Sequence, residues 1–173
     1  LYLIYRDYPE YINSSLSLKY LTLSSEMGFA DAQTDLAYLY HYGINVPKDL
    51  QKSRELYELA KASGNELSFF NLAVLLEDID RKKYIKEIIE NYEQAIKFGD
   101  AQAYYNLSYL YSNGLEVKKN DRKSVNILKD CIKNIDEAIC YDGLAWHYSN
   151  AKGVRQNDEE AVRLLKIAIQ KKY

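Results

Sequence analysis

Proline is nearly absent from this sequence, with two copies in 173 residues, and glycine is sparse at seven. A sandwich or barrel of short strands spends a turn about every ten residues, so this shortage argues against an all-β fold and for helices. Charge of one sign is also missing. The 23 Lys and Arg residues nearly balance 25 Asp and Glu, for a net charge of -2. That leaves no electrostatic footprint for nucleic acid, which requires Lys and Arg gathered on one face. The short basic stretches Arg81-Lys82-Lys83 and Lys118-Lys119 read as solvated turns. No run approaches the roughly 20 apolar residues that cross a bilayer, so membrane insertion is not expected. The composition is otherwise that of a packed chain, at 47% hydrophobic and 28% charged residues. Tyrosine is the surplus, at eighteen copies.

The sequence repeats itself. Gly28-Phe29-Ala30-Asp31-Ala32-Gln33-Thr34-Asp35-Leu36-Ala37-Tyr38-Leu39-Tyr40 returns 71 positions later as Gly99-Asp100-Ala101-Gln102-Ala103-Tyr104-Tyr105-Asn106-Leu107-Ser108-Tyr109-Leu110-Tyr111. This is two periods of roughly 36 residues, the length of a helix-turn-helix unit. Leu72-Ala73-Val74-Leu75-Leu76 falls midway in the same register, Leu144-Ala145-Trp146-His147-Tyr148 falls beyond, and Leu1-Tyr2-Leu3-Ile4-Tyr5 matches again. The expected division is a partial repeat at 1–28 and repeats at 29–64, 65–99, 100–135 and 136–173 in a single domain. Because the first residue, Leu1, already lies within a repeat, the sequence reads as part of a longer chain and leaves the compartment open.

Each unit continues through a turn into a second helix. Gly43-Ile44-Asn45-Val46-Pro47-Lys48-Asp49 leads into the stretch ending at Ala60, and Gly153 through Asp158 leads into the stretch ending at Ala168, with Asp49 and Asp158 expected to cap the incoming helices. Gly28, Gly64 and Gly99 fall after second helices; Gly43, Gly114 and Gly153 fall after first ones. Small residues at Ala30, Ala32, Ala60, Ala101, Ala103 and Ala168 are expected to let helix axes approach, with Leu36, Leu72, Leu107 and Leu144 buried between neighbours.

These offsets resemble the Sel1-like repeats of the tetratricopeptide superfamily. Ala30, Ala32, Leu36, Tyr40, Gly43, Val46, Asp49, Tyr57, Ala60 and Gly64 carry the resemblance in one repeat, and Ala101, Ala103, Leu107, Tyr111, Gly114, Val117 and Leu128 in another. The middle unit departs, because Glu77 to Lys83 has neither the glycine turn nor its Val and Asp. The resemblance implies an all-α, right-handed α/α superhelical solenoid of about four to five repeats. It also implies a protein or peptide partner held on the concave face lined by the first helices.

Helical register then selects the candidate partner-binding residues: Asp35, Tyr38 and His41; Phe70, Asn71 and Val74; Tyr105, Asn106 and Tyr109; and Trp146, with Thr34, Tyr42, Glu77, Ser112, Asp142 and Ser149 on the same stripe. Tyrosine and tryptophan combine rigid contact area with a polar handle, the chemistry of interface hot spots. By the resemblance, Asn71 and Asn106, with Asp35 one unit earlier, would hydrogen-bond an extended ligand. The alternative is that the aromatics pack between repeats.

Catalytic and cofactor chemistry find no foothold. His41 and His147 lie in different repeats without another ligand at metal spacing, and the glycines are spread at repeat period instead of clustering into a phosphate loop. The expectation is a non-enzymatic scaffold or adaptor with no metal or cofactor. A toxin-neutralising inhibitor and a structural repeat of a larger envelope or regulatory protein are the alternatives. Cys131 and Cys140 occupy the small-residue positions of Ala60 and Ala103. Two buried thiols satisfy that placement; cysteine-rich exported members of the resembled family staple helices here, so the resemblance adds a Cys131 to Cys140 disulfide as the other reading.

Overall fold

The computed structural model of the chain describes residues 15–171, which form eight helices and no strand. They are α1 (Ser15–Glu26), α2 (Ala30–Tyr42), α3 (Leu50–Ala62), α4 (Leu67–Lys97), α5 (Ala101–Asn113), α6 (Asp121–Asn134), α7 (Ala138–Ser149) and α8 (Asp158–Lys171). The opening match, Leu1 to Tyr5, lies outside the described residues. None of the described helices is long and apolar enough to cross a membrane.

The chain divides at Asp80 into two compact units. The division falls where the glycine turn is missing. Within α4, Asp80 is extended (φ -168°, ψ 92°), so two helical stretches meet at a kink of one residue where the other repeats build a turn of seven or eight. A single non-helical residue breaks the axis of a helix without ending it.

Side chains close the helix ends as the sequence grammar requires, with one correction. Asp49 accepts a hydrogen bond from the Lys52 amide at 3.0 Å, and Asp100 from Ala103 at 2.8 Å. At the start of α8, however, the cap is Asn157, which accepts from the Glu160 amide at 3.0 Å. Asp158, expected as the cap, already lies in the first turn, where its charge suits the positive end of the helix. Gly43 ends α2 in the left-handed conformation (φ 70°) and donates its N–H to the Leu39 carbonyl; Gly114 ends α5 in the same way onto Leu110.

In the N-terminal unit, Leu21, Ala32 and Leu36 form a core with Leu18, Leu39, Tyr40 and Leu56, and Leu72, Ala73, Leu75 and Leu76 of α4 are fully buried. Thr34, on the predicted binding stripe, is instead buried, and its hydroxyl meets that of Ser68 at 2.8 Å between α2 and α4. The C-terminal unit centres on Val125, Leu128, Leu144, Ala145, Ala161 and Leu164. Ala32, Ala60, Ala103 and Ala168 are buried at helix contacts, whereas Ala30 and Ala101 are half-exposed. Cys131, at the end of α6, and Cys140, at the start of α7, are fully buried with their Cα atoms 5.6 Å apart and their sulfurs bonded.

Candidate partner-binding surfaces

Helix α2 puts Asp35, Tyr38 and Tyr42 on one face, three and seven positions apart. Tyr38 and Tyr42 are 44% and 47% exposed, with ring centroids 4.6 Å apart and planes tilted by 50°. His41, predicted as a contact residue, is not on that surface. It is buried to 1% exposure, stacks on Tyr42 at 4.2 Å, and meets the Asp78 carboxylate at 2.9 Å through Nε2. A carboxylate can only accept, so Nε2 carries the proton. Burial lowers the basicity of the ring, offset in part by Asp78, and the residue links α2 to α4. Phe70, Asn71 and Val74 are half-buried on the first half of α4.

Asp35 is also half-buried, and no described residue bonds or pairs with its carboxyl, whose pKa burial pushes up to about 6. Tyr57 of α3 is fully buried, and among the described residues its hydroxyl has no hydrogen-bond partner. Burial raises the Tyr57 hydroxyl, and charge on Tyr42, Tyr38 and Asp35 raises it further, so these four side chains share one locality. The folded chain holds the Asp35 proton more tightly than the unfolded chain does. Stability therefore falls as pH rises from the ordinary value of 3.8 to about 6, and stays lowered above it. Asp35→Asn should raise stability by about 2 kcal/mol at about pH 8, allowing for partial solvent screening, and by little at about pH 4. Urea unfolding at the two pH values checks this; a loss of stability at the higher pH would mean that the carboxylate has a compensating partner.

The C-terminal unit has a cleft. Its volume is about 160 Å³, and it is lined by Tyr105, Ser108, Tyr109, Ser112, Asn113, Leu128, Gly143, Trp146 and His147. Three predicted residues, Tyr105, Tyr109 and Trp146, thus line one cavity, with Tyr109 and Trp146 about half exposed at 51% and 48%. Asn106 lies outside it, half-buried on α5, with its amide nitrogen donating to the Tyr92 hydroxyl at 3.1 Å.

Two substitutions relative to the N-terminal unit make the room. Leu128 stands 71 positions after Tyr57, whose ring fills its own unit, and Gly143 stands in the register of Asn71. A Cβ on Gly143 would lie 2.8 Å from Leu128 Cδ2 and 3.4 Å from the Tyr105 ring. The polar lining is spent internally. Ser108 and Ser112 donate to the carbonyls of Tyr105 and Tyr109, and the Asn113 amide also donates to Tyr109. His147 Nδ1 donates to the Lys152 carbonyl at 2.8 Å, which leaves Nε2 to accept from Ser124 at the same distance. The cleft therefore offers ring faces, aliphatic carbon and the phenol groups at its mouth. Among the described residues, no three His, Cys, Asp or Glu side chains are grouped to hold a metal.

The sequence reading did not place Gly143 or Asn113 at a site, and it read Leu128 only as a repeat position and His147 only as a histidine without metal partners. One signal was available: of the seven glycines, Gly143 alone lies away from a repeat junction, and it sits inside a helix where glycine costs about 1 kcal/mol.

The Sel1 repeat family matches residues 30–65, 101–129 and 132–173, more than half of the chain. Chitin synthase regulatory factor 4 of Schizosaccharomyces pombe (strain 972 / ATCC 24843) is 32% identical over 92 residues, which cover 53% of this chain and 14% of that protein. A crystal structure of a Sel1 repeat protein from Oxalobacter formigenes superimposes with a TM-score of 0.76 at 24% identity, over 90% of this chain and 64% of that one. The protective antigen c5321 of uropathogenic Escherichia coli, which displays an SLR fold, superimposes with a TM-score of 0.72 at 22% identity, over 88% of this chain and 33% of that one. At these identities the solved structures establish the fold, and the chain spans less than two thirds of the length of each relative. With its helix-turn-helix units, capped turns and three matched segments, the chain belongs to the Sel1 repeat family, whose members in general mediate contacts between proteins.

Proposed function

We propose that this chain is a non-catalytic scaffold or adaptor that binds a partner protein, with the cleft of the C-terminal unit taking one apolar side chain of the bound segment. The cleft carries this reading. Its volume of about 160 Å³ is close to that of an apolar cavity that takes up a single benzene ring. Tyr105, Tyr109 and Trp146 supply the contact area typical of interface hot spots, and Ser108, Ser112 and His147 of the lining are already hydrogen-bonded within the chain. The match to a regulatory factor accords with work done through a partner.

The test compares capture of partner protein from lysate of the source organism by the unaltered chain and by a Tyr105→Ala, Tyr109→Ala, Trp146→Ala variant of unchanged helical content. Capture should weaken by about thirtyfold or more, the loss of at least one hot-spot residue worth about 2 kcal/mol. Trp146 is the chain's sole tryptophan, so its fluorescence should shift when the captured partner is added back. Equal capture by both proteins, or a silent Trp146, would move the interface off the cleft.

A further inference from the structure

Gly143 stands where glycine is a poor helix former and a larger residue does not fit. A methyl group in its place would lie 2.8 Å and 3.2 Å from the two Cδ atoms of Leu128 and 3.4 Å from the Tyr105 ring, so Leu128 would have to turn aside. Leu128 is 1% exposed and packed into the core of its unit, and the free space beside it is the cleft that Leu128, Tyr105 and Gly143 all line. An alanine at 143 would therefore take room from that cleft. At its mouth, the Trp146 ring meets the His147 ring edge-on, with centroids 5.1 Å apart and planes at 89°. His147 is tied at both nitrogens, to the Lys152 carbonyl and the Ser124 hydroxyl, each at 2.8 Å, which braces the indole against it. Charge is missing from the lining. Among the described residues that form it none is Asp, Glu, Lys or Arg, and a histidine that donates through Nδ1 and accepts through Nε2 is neutral.

We propose that Leu128 and Gly143 are specificity-determining residues, which fit the cleft to a partner side chain bearing one six-membered aromatic ring and keep out the fused rings of tryptophan. The uncharged lining complements an uncharged occupant, because an ion carried in from water would find no counter-charge. Size selects a single ring: the volume of about 160 Å³ is close to the roughly 150 Å³ of a cavity that holds benzene. The walls select an aromatic one, since Tyr105, Tyr109 and Trp146 offer the faces and edges against which a further ring packs in offset or edge-to-face contact. A methyl at 143, or its loss from 128, changes the one dimension that separates a single ring from a fused pair. The assignment rests on the reading of this cleft as the place where a partner's apolar side chain docks.

The isotope-labelled full chain is titrated with the unlabelled N-acetyl methylamides of phenylalanine, cyclohexylalanine and tryptophan, and the indole N–H resonance of Trp146, the sole tryptophan, is followed by NMR. The phenylalanine probe should shift that resonance saturably and bind about threefold more tightly than cyclohexylalanine, which is of similar size but lacks the aromatic faces. It should bind about tenfold more tightly than tryptophan, and Gly143→Ala should weaken it by about tenfold with helical content unchanged. Leu128→Ala, once circular dichroism shows that it is folded, should take tryptophan as tightly as phenylalanine. Leu165→Ala, on α8 away from the cleft, should leave all three probes as they were. Cyclohexylalanine binding as well as phenylalanine, or no shift with any probe, would overturn the choice of an aromatic ring. Tryptophan binding as well as phenylalanine in the unaltered chain, or an unchanged phenylalanine affinity in Gly143→Ala, would overturn the part given to Leu128 and Gly143. Each of these results can arise while partner capture still depends on Tyr105, Tyr109 and Trp146, so this assignment can fail with the scaffold reading intact.

Discussion

Replacing Gly153 by alanine should destabilise the chain by about 4 kcal/mol, or about 10 °C in Tm, although the residue lies in a surface turn between α7 and α8. Gly153 has φ +73°, where an L side chain is strained, and its missing Cβ would fall on the Asp121 carbonyl oxygen and 2.9 Å from the Arg122 amide nitrogen. These are backbone atoms in the first turn of α6. They cannot swing aside as a side chain would, so either the turn or the helix start must move. Gly99→Ala separates the two effects. Gly99 has φ +85°, but its added methyl would meet only Ile135 Cδ1 at an ordinary 3.5 Å, so about 1–2 kcal/mol is expected from strain alone. Thermal unfolding of both variants gives the contact contribution by difference. Equal losses would show that α6 yields to the methyl group.

Leu128→Ala should cost about 3–4 kcal/mol, in the upper part of the range for a buried leucine. Leu128 is 1% exposed in the core of the C-terminal unit and also forms part of the cleft wall. The cost of such a truncation depends on how well neighbours close the gap. Gly143 of α7 lies against it and has no side chain to move in, so the cavity should stay open and merge with the cleft. Leu165→Ala, at a position 41% exposed on α8, should cost less than about 1 kcal/mol. Denaturant unfolding measures both, and Trp146 emission should move to longer wavelength in Leu128→Ala as water enters beside it. A loss below about 2 kcal/mol would mean that the unit collapses around the deletion.

Several elements could be read without coordinates because they are local. A glycine that ends a helix and an aspartate that starts the next each act on hydrogen bonds within a few residues, so Gly43, Gly114 and Asp49 could be placed from spacing. The reading went wrong by one residue at Asp158, because Asn157 beside it is as good a cap and the sequence does not say which of the two lies outside the helix. His41 and Thr34 were misplaced for another reason. Helical register assigns a residue to a face, but whether that face is open depends on the next helix; Asp78 and Ser68 of α4 cover these two. Asp80 shows the converse, since the missing glycine turn was plain in the sequence while the local geometry that replaced it was not.

By itself the sequence determined the helical repeat, its period and the local caps other than that of α8, since each depends on contacts along the chain or on a repeated offset. Tertiary structure alone decided which stripe residues are accessible. It also placed Tyr105, Tyr109 and Trp146 around one cleft and, among the described residues, left the Asp35 carboxyl and the Tyr57 hydroxyl without partners. Those outcomes turn on the volume at single positions where helices meet. In the C-terminal unit, leucine at 128 and a hydrogen in place of a side chain at 143 border the cleft; in the N-terminal unit, the position 71 residues before Leu128 is the fully buried Tyr57. A repeat pattern specifies which residues face a neighbouring helix, and the packed neighbour determines whether they meet a side chain or a space.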